Sequence, residues 1–445
     1  MKIIIIGGVA AGMSAASKAK RTMKDAEITV YEKTDVISWG ACGLPYYIGG
    51  FFQSTSNMMA RSIEKFIESG IDVNVKHEVL SVDHINKKIK IKNLLTDETF
   101  EDSYDKLMVA SGASAIIPPI KNIDLENVFT LKDFQDGVDL KEVVSKEEIK
   151  NIVIIGAGYI GIEALEAMHH IGKNVRIIQL NDRVLPESFD KEITDLMQEE
   201  ILSYDRISLH LSEIVKELRG EEKIEAVLTD KGIYEADLVI IATGVKPNTQ
   251  FIKETGIEML PNGAIIIDSH GKSSINDIYS AGDCATVPHR VRKENVYIPL
   301  ATTANKIGRV VGENLAGKNS SFFGTLGSAA VKVLNLEAGR TGISETEAKN
   351  MGINYSTVFI KDKNQTNYYP GQENIYIKII YEKNSKIILG GQIAGKKGAV
   401  LRIDVLAAAI HSNMTTEDLG MLDLCYAPPF ARTWDALNIA GNAAK

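Results

Sequence analysis

The sequence predicts an α/β protein in which two parallel-sheet domains of the same construction are followed by a smaller C-terminal α+β domain. The first observation is the apolar run from Lys2 to Gly7, which leads directly into a glycine-rich turn and a helix. The second is the return of this pattern at residues 152–161, and the third is a change, from about Phe322, to strand-like segments without such a turn. Branched apolar strands followed by glycine turns are typical of Rossmann-like dinucleotide-binding domains.

Composition limits the class of protein. The 445 residues carry a net charge of −8, which offers no basic footprint for nucleic acid. No apolar run approaches the length of a membrane helix, and the run at residues 3–6 fits a buried strand better than a signal peptide. Three cysteines argue against a disulfide scaffold, so we expect a cytoplasmic protein in which an isolated thiol stays reduced. We predict no metal site.

The first glycine-rich turn runs from Gly7 to Gly12 and opens a helix. Small residues there let a pyrophosphate approach the helix N-terminus, and Glu32 ends the next strand where a carboxylate can accept hydrogen bonds from a ribose. Val9 replaces the middle glycine of the usual pattern, so the turn alone also fits a simple strand-to-helix connection. The predicted cofactor contacts are Gly7, Gly8, Ala10, Ala11, Gly12, Glu32 and Lys33.

The second turn is an intact G-x-G-x-x-G between Gly156 and Gly161. A helix is predicted from Ile162 to Ile171, and the strand at 174–178 ends on Gln179. Two such units, each with a similar closing strand and turn, favour two different nucleotides held face to face over two unrelated turns. The predicted contacts are Gly112 in the first unit, and Gly156, Gly158, Tyr159, Ile160, Gly161, Glu163, Gln179 and Gly244 in the second.

The strand that ends at Gly282-Asp283, which follows the second nucleotide unit, favours a flavin as the first nucleotide. Asp283 is predicted to bind the ribityl hydroxyls, and the helix that begins near Ala301 is predicted to face the flavin ring; a plain strand-ending turn is the alternative. We therefore predict FAD in the first unit and NAD(P)H in the second. The predicted domains are residues 1–148 (FAD-binding, first part), 149–270 (NAD(P)H-binding), 271–321 (FAD-binding, second part) and 322–445 (dimerisation).

A single cysteine, Cys42, lies between Ser38 and Gly50 in a loop punctuated by glycine and proline. The loop follows the first nucleotide cradle and leads into a short apolar segment that is predicted to be helical. A thiol in this place indicates that electrons from a bound cofactor are transferred to sulfur. No second cysteine follows at C-x-x-x-x-C spacing.

These features resemble the pyridine nucleotide-disulfide oxidoreductases, which have the glutathione-reductase-like fold, and the resemblance covers the whole chain. The lone cysteine resembles the single-cysteine branch, which contains coenzyme A-disulfide reductase, NADH oxidase, NADH peroxidase and persulfide reductases. The resemblance implies a homodimer with an active site shared across its interface. The expected partners are a second copy of the chain and a small-molecule disulfide. We expect it to bind neither nucleic acid nor a membrane.

Within this branch the sequence is most similar to coenzyme A-disulfide reductase. Ala10 stands where the oxidase and peroxidase members carry a histidine, and Tyr368-Tyr369-Pro370 and Tyr426-Ala427-Pro428-Pro429 match segments that the partner subunit contributes. The resemblance implies that Cys42, Tyr368 and Tyr426 are catalytic and that coenzyme A is bound. The candidate contacts of coenzyme A are Ser14, Arg21, Ser38 and Arg61, although each arginine also fits a solvated helix face.

The implied reaction is reduction of coenzyme A disulfide by NAD(P)H, with Cys42 cycling as a mixed disulfide. The cysteine must react as a thiolate, so we expect its pKa to be lowered by the flavin and by the N-terminus of the following helix. Tyr159 would cover the flavin until the coenzyme arrives, and Glu163 would orient coenzyme and flavin. Gln179 lacks the charge that repels a 2′-phosphate, so we expect both NADH and NADPH to work.

Three alternatives stay open. An NADH oxidase that reduces oxygen is disfavoured by Ala10. An NAD(P)H-dependent persulfide or polysulfide reductase would use the same Cys42 chemistry. A flavin-bearing redox sensor without turnover belongs to a different functional class.

Overall fold

The computed structural model describes residues 1–445. None of its helices combines the length and apolar character needed to cross a membrane. The elements of the first part, in chain order, are β1 (Lys2–Ile6), α1 (Ala10–Thr22), β2 (Glu27–Tyr31), α2 (Leu44–Ile48), α3 (Ile63–Glu68), β3 (Asp72–Asn74), β4 (His77–Asp83), β5 (Lys88–Asn93), β6 (Thr99–Ser103), β7 (Lys106–Val109), β8 (Ala113–Ala115), β9 (Val128–Thr130) and α4 (Phe134–Val144).

The middle of the chain repeats this construction. Its elements are β10 (Asn151–Ile155), α5 (Tyr159–His170), β11 (Asn174–Ile178), α6 (Lys191–Leu202), β12 (Ile207–His210), β13 (Val215–Arg219), β14 (Ala226–Thr229), β15 (Ile233–Glu235), β16 (Leu238–Ile241), β17 (Val245–Pro247), β18 (Ile278–Ser280), β19 (Val287–Pro288), β20 (Asn295–Val296) and α7 (Ala301–Leu315).

The C-terminal part begins after α7. Its elements are β21 (Ala329–Val333), β22 (Leu336–Gly342), α8 (Glu345–Asn350), β23 (Tyr355–Lys363), β24 (Asn374–Glu382), β25 (Ile388–Gly395), α9 (Ala399–His411), α10 (Thr416–Met421) and α11 (Ala436–Ala443). Strands β21 to β25 form one antiparallel sheet in the order β21-β22-β25-β24-β23. The α+β character predicted for this part is confirmed.

Two five-stranded parallel sheets form the rest of the molecule, as the sequence predicts. The first has the order β18-β7-β1-β2-β3 and the second the order β12-β11-β10-β16-β9. A three-stranded antiparallel sheet accompanies each of them, β4-β5-β6 in the first and β13-β14-β15 in the second. Strand β18 returns to the edge of the first sheet after the chain has completed the second, pairing in parallel with β7.

The glycine-rich turns bring each first helix close to its own strand. A Cβ atom on Gly12 would lie 1.9 Å from the carbonyl oxygen of Gly7, and one on Gly161 would lie 2.0 Å from that of Gly156. No larger side chain fits at either helix position, because the clash would be with backbone. Gly12 and Gly161 therefore serve helix–strand packing in equivalent ways.

One predicted boundary is wrong. Helix α5 begins at Tyr159, directly after its N-cap residue Gly158, rather than at Ile162. The first helical turn thus lies inside the glycine motif, so Tyr159 and Ile160 are helical residues.

Candidate active site

A single large cavity, of about 2950 Å³, joins the two glycine-rich turns. Parallel strands of both sheets end at it, as expected for the ligand-binding edge of doubly wound sheets. Most of the predicted site residues line it: Gly7, Ala10, Ala11, Glu32, Lys33, Cys42, Gly112, Gly156, Gly158, Tyr159, Ile160, Glu163, Gln179, Gly244, Asp283 and Ala301. Gly8, Gly12 and Gly161 lie behind this surface.

Three helices present their N-termini to the cavity. The N-cap residues of α1, α5 and α7 are Val9, Gly158 and Leu300, and none of them makes a side-chain capping hydrogen bond. None of the three first turns contains an acidic residue. Their free N–H groups and positive dipole ends suit the phosphates of dinucleotides.

The residue that ends the second strand of each sheet supports the glycine turn beside it. Glu32 Oε2 accepts a hydrogen bond of 2.7 Å from the N–H of Gly8, and Gln179 Oε1 accepts one of 3.3 Å from the N–H of Ala157. Glu32 Oε1 also accepts two hydrogen bonds from Thr34, at 2.8 and 2.9 Å. Both lone pairs of Oε1 are thus used within the chain, which leaves Oε2 as the atom available to a ribose.

Cys42 opens onto the cavity from a short turn, residues 41–43, that leads into α2. The surrounding protein raises the pKa of the Cys42 thiol through burial, with Glu163 and Asp283 adding to the rise and Lys132 opposing it. The net shift within the chain alone is thus opposite to the lowering expected from the flavin and the helix together. Helix α2 has only five residues, too few to build a strong dipole.

Lys132 is a candidate site residue that the sequence analysis missed. Its ammonium donates a hydrogen bond of 2.9 Å to Asp283 Oδ2 and is the cation that acts on the Cys42 thiol. Lys132 belongs to no motif, and the signal that could have found it is its position just beyond β9, at the edge where parallel strands present ligand-binding residues.

Glu163 is the second titratable group beside the thiol. Burial, together with the nearby carboxylate of Glu166, raises the pKa of Glu163 to about 7. Glu166 is itself buried and forms an ion pair with Lys332 of β21. Glu163 can therefore hold or release a proton near neutral pH, as acid–base chemistry next to a thiol requires.

The ring of Tyr159 lies in the wall of the coenzyme half of the cavity. Its centroid is 6.5 Å from that of Phe189, and its buried hydroxyl has no hydrogen-bond partner. A buried hydroxyl without a partner is unfavourable by about 1–3 kcal/mol. This position suits a side chain that finds its partner only when a ligand enters.

The predicted tyrosine pair forms in the C-terminal domain. The hydroxyl oxygens of Tyr368 and Tyr426 lie 2.6 Å apart, and the two residues are 69% and 41% exposed. The hydrogen bond between the two hydroxyls is the main cause that raises the pKa of Tyr426. Neither residue lines the cavity that contains Cys42 of the same chain.

The four predicted contacts of coenzyme A lie at different places. Arg21 and Arg61 meet in a second cavity of about 380 Å³, lined by Ser17, Lys20, Arg21, Lys24, Arg61, Ser69 and Ile71, which we call the basic cavity. Ser14 donates a hydrogen bond of 2.7 Å to Asn305 in α7. Ser38 adopts a left-handed backbone conformation with φ 51° and lies outside both cavities.

A family model for pyridine nucleotide-disulphide oxidoreductases matches residues 1–308, and the model of that family's dimerisation domain matches residues 328–437. The chain belongs to this family. As a pyridine nucleotide-disulphide oxidoreductase it is an FAD-dependent NAD(P)H oxidoreductase that acts on sulfur or disulfide substrates. The dimerisation domain supports a homodimer.

Curated relatives align over the whole chain. The NAD(P)H coenzyme A polysulfide/persulfide reductase of Pyrococcus horikoshii is 40% identical, over 100% of this chain and 98% of the relative. The NADH oxidase of Enterococcus faecalis is 34% identical over 100% and 99%. The coenzyme A disulfide reductase of Staphylococcus epidermidis is 31% identical over 100% of both chains.

Solved structures show the same architecture. The NAD-dependent persulfide reductase from A. fulgidus superimposes with a TM-score of 0.95 at 34% identity, over 100% of this chain and 83% of that one. The water-forming NADH oxidase from Lactobacillus brevis gives a TM-score of 0.95 at 34% identity, over 100% and 98%.

The cavity fits the two cofactors of this family. The uncapped N-termini of α1 and α7 and the carboxylates of Glu32 and Asp283 surround the half that belongs to the first sheet. The uncapped N-terminus of α5 and the residues after β11 surround the other half. The dinucleotide FAD fits the first half, and the nicotinamide coenzyme fits the second.

Proposed function

We propose that this flavoenzyme reduces sulfane sulfur, in persulfides or polysulfides, with NAD(P)H as the electron donor and coenzyme A as the bound thiol. The observation that carries the proposal is Cys42, whose side chain opens onto the cavity with no second cysteine beside it. Cys284 is buried among hydrogen-bonding groups of the first sheet, and Cys425 lies in the C-terminal domain. The sulfur that exchanges with Cys42 must therefore arrive on another molecule.

Relatives favour sulfane sulfur over coenzyme A disulfide. The relatives named as coenzyme A-dependent sulfur reductases are 39–40% identical to this chain, whereas the coenzyme A disulfide reductase is 31% identical. Coenzyme A disulfide stays the second candidate substrate, because the same attack by Cys42 would open either sulfur–sulfur bond.

The proposed sulfur chemistry is a thiol exchange followed by reduction. The Cys42 thiolate attacks the outer sulfur of coenzyme A persulfide, a Cys42 persulfide forms, and the coenzyme A thiolate leaves and takes up a proton. Two electrons and a proton then convert the Cys42 persulfide into the Cys42 thiolate and hydrogen sulfide. FAD, when bound, supplies the two-electron transfer from NAD(P)H to sulfur.

Proton delivery is assigned to residues of both subunits. Glu163, whose pKa is raised to about 7, holds a proton beside Cys42 in its own chain. The Tyr368–Tyr426 pair is exposed and does not reach that cysteine within one chain, so we assign it to the cavity of the second subunit of the homodimer. There its hydroxyls would protonate or orient the leaving thiolate.

The basic cavity is the proposed site for the phosphates of coenzyme A. It brings Lys20, Arg21, Lys24 and Arg61 together around a space of about 380 Å³. The guanidinium of Arg61 lies 4.2 Å from the ring centroid of Phe66, which orients it. Four positive charges without an acidic lining residue would attract a phosphorylated nucleotide.

Two other functions predict different behaviour. An NADH oxidase would consume oxygen, but Ala10 supplies no histidine beside Cys42. A flavin-bearing redox sensor would bind NAD(P)H without turnover.

One assay separates these functions. NAD(P)H oxidation is measured without oxygen, with coenzyme A persulfide, inorganic polysulfide or coenzyme A disulfide, and then with oxygen alone. We expect persulfide and polysulfide to be the best acceptors and Cys42→Ser to abolish turnover while retaining flavin. Oxygen as the best acceptor, or no turnover with any acceptor, would contradict the proposal.

A further inference from the structure

The segment between β11 and α6, residues 179–190, forms a wall of the large cavity and is called the coenzyme loop. Its residues on the cavity are Gln179, Leu180, Asn181, Leu185, Pro186, Glu187 and Ser188. Leu185 adopts φ 45°, a left-handed conformation that is strained for a non-glycine residue, and its N–H donates a hydrogen bond of 2.9 Å to Ala157. Such a conformation persists only where surrounding contacts hold it.

Arg340, in β22 of the C-terminal domain, supplies one of these contacts. Its Nη1 donates a hydrogen bond of 2.9 Å to the carbonyl oxygen of Ser188 in the coenzyme loop. Its Nη2 donates to Gly342 at 2.8 Å and to Glu347 Oε2 at 3.0 Å. Arg340 is only 8% exposed, and the part that remains open faces the cavity. The rigid guanidinium is thus fixed through Nη2 by groups of the C-terminal domain, and its Nη1 holds the coenzyme loop.

Glu347 extends this contact to the flavin half of the molecule. Its Oε1 accepts a hydrogen bond of 3.1 Å from Arg292, which lies between β19 and β20. Arg292, Glu347 and Arg340 therefore form one charged chain. It connects the residues after the first sheet, the C-terminal domain and the coenzyme loop.

A second anchor fixes the end of the coenzyme loop. The N–H of Asp190 donates to Gln392 Oε1 at 2.8 Å, and Gln392 Nε2 donates to Asp190 Oδ2 at 2.7 Å. Lys378, 1% exposed, lies 3.5 Å from Asp190, 2.8 Å from Glu192 and 2.6 Å from Glu345. The two hydrogen bonds between Asp190 and Gln392, and the ion cluster around the buried Lys378 ammonium, attach the loop to the sheet of the C-terminal domain.

Arg340 also acts on Tyr159. Burial raises the pKa of that hydroxyl, and the nearby Ser188 side chain and then the Arg340 guanidinium charge oppose the rise. Phe189, directly after Ser188, lies beside the Tyr159 ring. A movement of the Ser188 carbonyl would therefore displace both the cavity wall and the support of this ring.

We propose that Arg340 is a positioning residue for the nicotinamide coenzyme, acting through the Ser188 carbonyl on the coenzyme loop and the Tyr159 ring. The coenzyme pocket is then a composite of its own domain and the C-terminal domain. The inference rests on the use of NAD(P)H, which the family establishes, and not on the sulfur substrate proposed above.

The test compares Arg340→Met, Arg340→Lys and Arg290→Met in the flavin-loaded dimer. Arg290 is a matched control, because its guanidinium also donates to two carbonyl oxygens, of Phe323 and His411, but away from the coenzyme loop. Steady-state kinetics give KM and kcat for the coenzyme, and hydrogen exchange reports on residues 179–190. Reduction of the acceptor by dithionite-treated enzyme measures the sulfur half-reaction without coenzyme.

We expect Arg340→Met to raise the coenzyme KM about tenfold or more and to speed exchange of the loop. We expect kcat to change by less than about threefold, because the sulfur half-reaction does not involve the loop. Arg340→Lys, which keeps the charge, should lie between wild type and Arg340→Met, and it serves as the test if Arg340→Met fails to fold. An unchanged KM in either folded variant, or the same KM rise in Arg290→Met, would overturn the proposal.

Discussion

The ammonium of Lys132 and the carboxylate of Asp283 lie 2.9 Å apart at the cavity that contains Cys42. Lys132 follows β9 of the second sheet, and Asp283 follows β18 of the first, so this ion pair joins the two nucleotide cradles. The two members act on the thiol in opposite directions, since Lys132 lowers the pKa of Cys42 and Asp283 raises it. The reactivity of the cysteine thus depends on how the two domains meet.

Removing the cation should make the cysteine less acidic. In Lys132→Met the Cys42 thiol loses the cation that lowers its pKa and Asp283 loses its partner, so we expect the pKa of Cys42 to rise further. The rate of Cys42 alkylation by iodoacetamide, followed against pH, measures this change. Lys121→Met, which removes an exposed ion pair with Glu217, should leave the profile unchanged. A profile that stays in place in Lys132→Met would contradict the assignment.

Glu163→Gln should have the opposite effect on the thiol. The carboxylate of Glu163 raises the pKa of Cys42, so its neutral replacement should lower that pKa and speed alkylation above pH 7. The rate below pH 6 should change less, because Glu163, with a pKa of about 7, is then already neutral. Equal acceleration at pH 6 and pH 8 would point to altered access rather than altered charge.

The same group makes stability depend on pH. The folded pKa of Glu163 is raised from 4.5 to about 7, so folding favours the protonated form. Its stabilising contribution is full below the unfolded pKa and is lost as the pH rises through the folded pKa. Between pH 4.5 and pH 8, flavin-free wild type should lose on the order of 2 kcal/mol of unfolding free energy relative to Glu163→Gln. Urea unfolding at the two pH values measures this difference, and a constant difference would contradict the shift.

The tyrosine pair should act on the sulfur step alone. We expect Tyr426→Phe and Tyr368→Phe to lower turnover with sulfur acceptors by about tenfold to a hundredfold, while stopped-flow reduction of the flavin by NADH is unchanged. Tyr369→Phe is the matched control, because Tyr369 is next in sequence, 42% exposed and outside the 2.6 Å hydroxyl contact. An equal loss of rate in flavin reduction and in the sulfur step would show that the tyrosine pair has no specific role in thiol chemistry.

The basic cavity should distinguish acceptors that carry coenzyme A from those that do not. Arg61→Met should raise the KM for coenzyme A persulfide about tenfold, because one phosphate contact is lost, and should leave the KM for inorganic polysulfide unchanged. Lys90→Met, which removes an exposed charge from β5, controls for net charge. A similar rise for both acceptors would place coenzyme A elsewhere.

The sequence predicts the fold, the glycine turns and the reactive cysteine, but it does not predict the electrostatic environment of that cysteine. Gly12 and Gly161 have no room for a side chain, because backbone atoms of Gly7 and Gly156 lie against them. The spacing of these glycines in the sequence therefore indicates a strand, a tight turn and a closely packed helix. Cys42 stands out because the chain contains few cysteines. The direction of its pKa shift depends on burial and on the balance between Lys132, Asp283 and Glu163, which come from distant parts of the chain. No local pattern predicts that balance.

The coenzyme loop shows the same limit. Gln179 is found from its place at the end of a strand, but the contacts of Arg340 and Gln392 with this loop join residues of different domains. Their side chains have no motif of their own: Arg340 lies in β22 beside Thr341, and Gln392 is a lone polar side chain in β25.

The return of β18 to the first sheet has a consequence for how the protein is made. Ile278 pairs with Leu107, so the edge of the N-terminal sheet stays incomplete while the whole second sheet is being synthesised. The inserted domain can bury its own core on the ribosome earlier than the domain that precedes it in sequence. The first domain is therefore synthesised before the second, but its sheet is completed after it. Until β18 pairs with β7, the backbone edge of β7 is open and must be covered by a chaperone or by the returning chain.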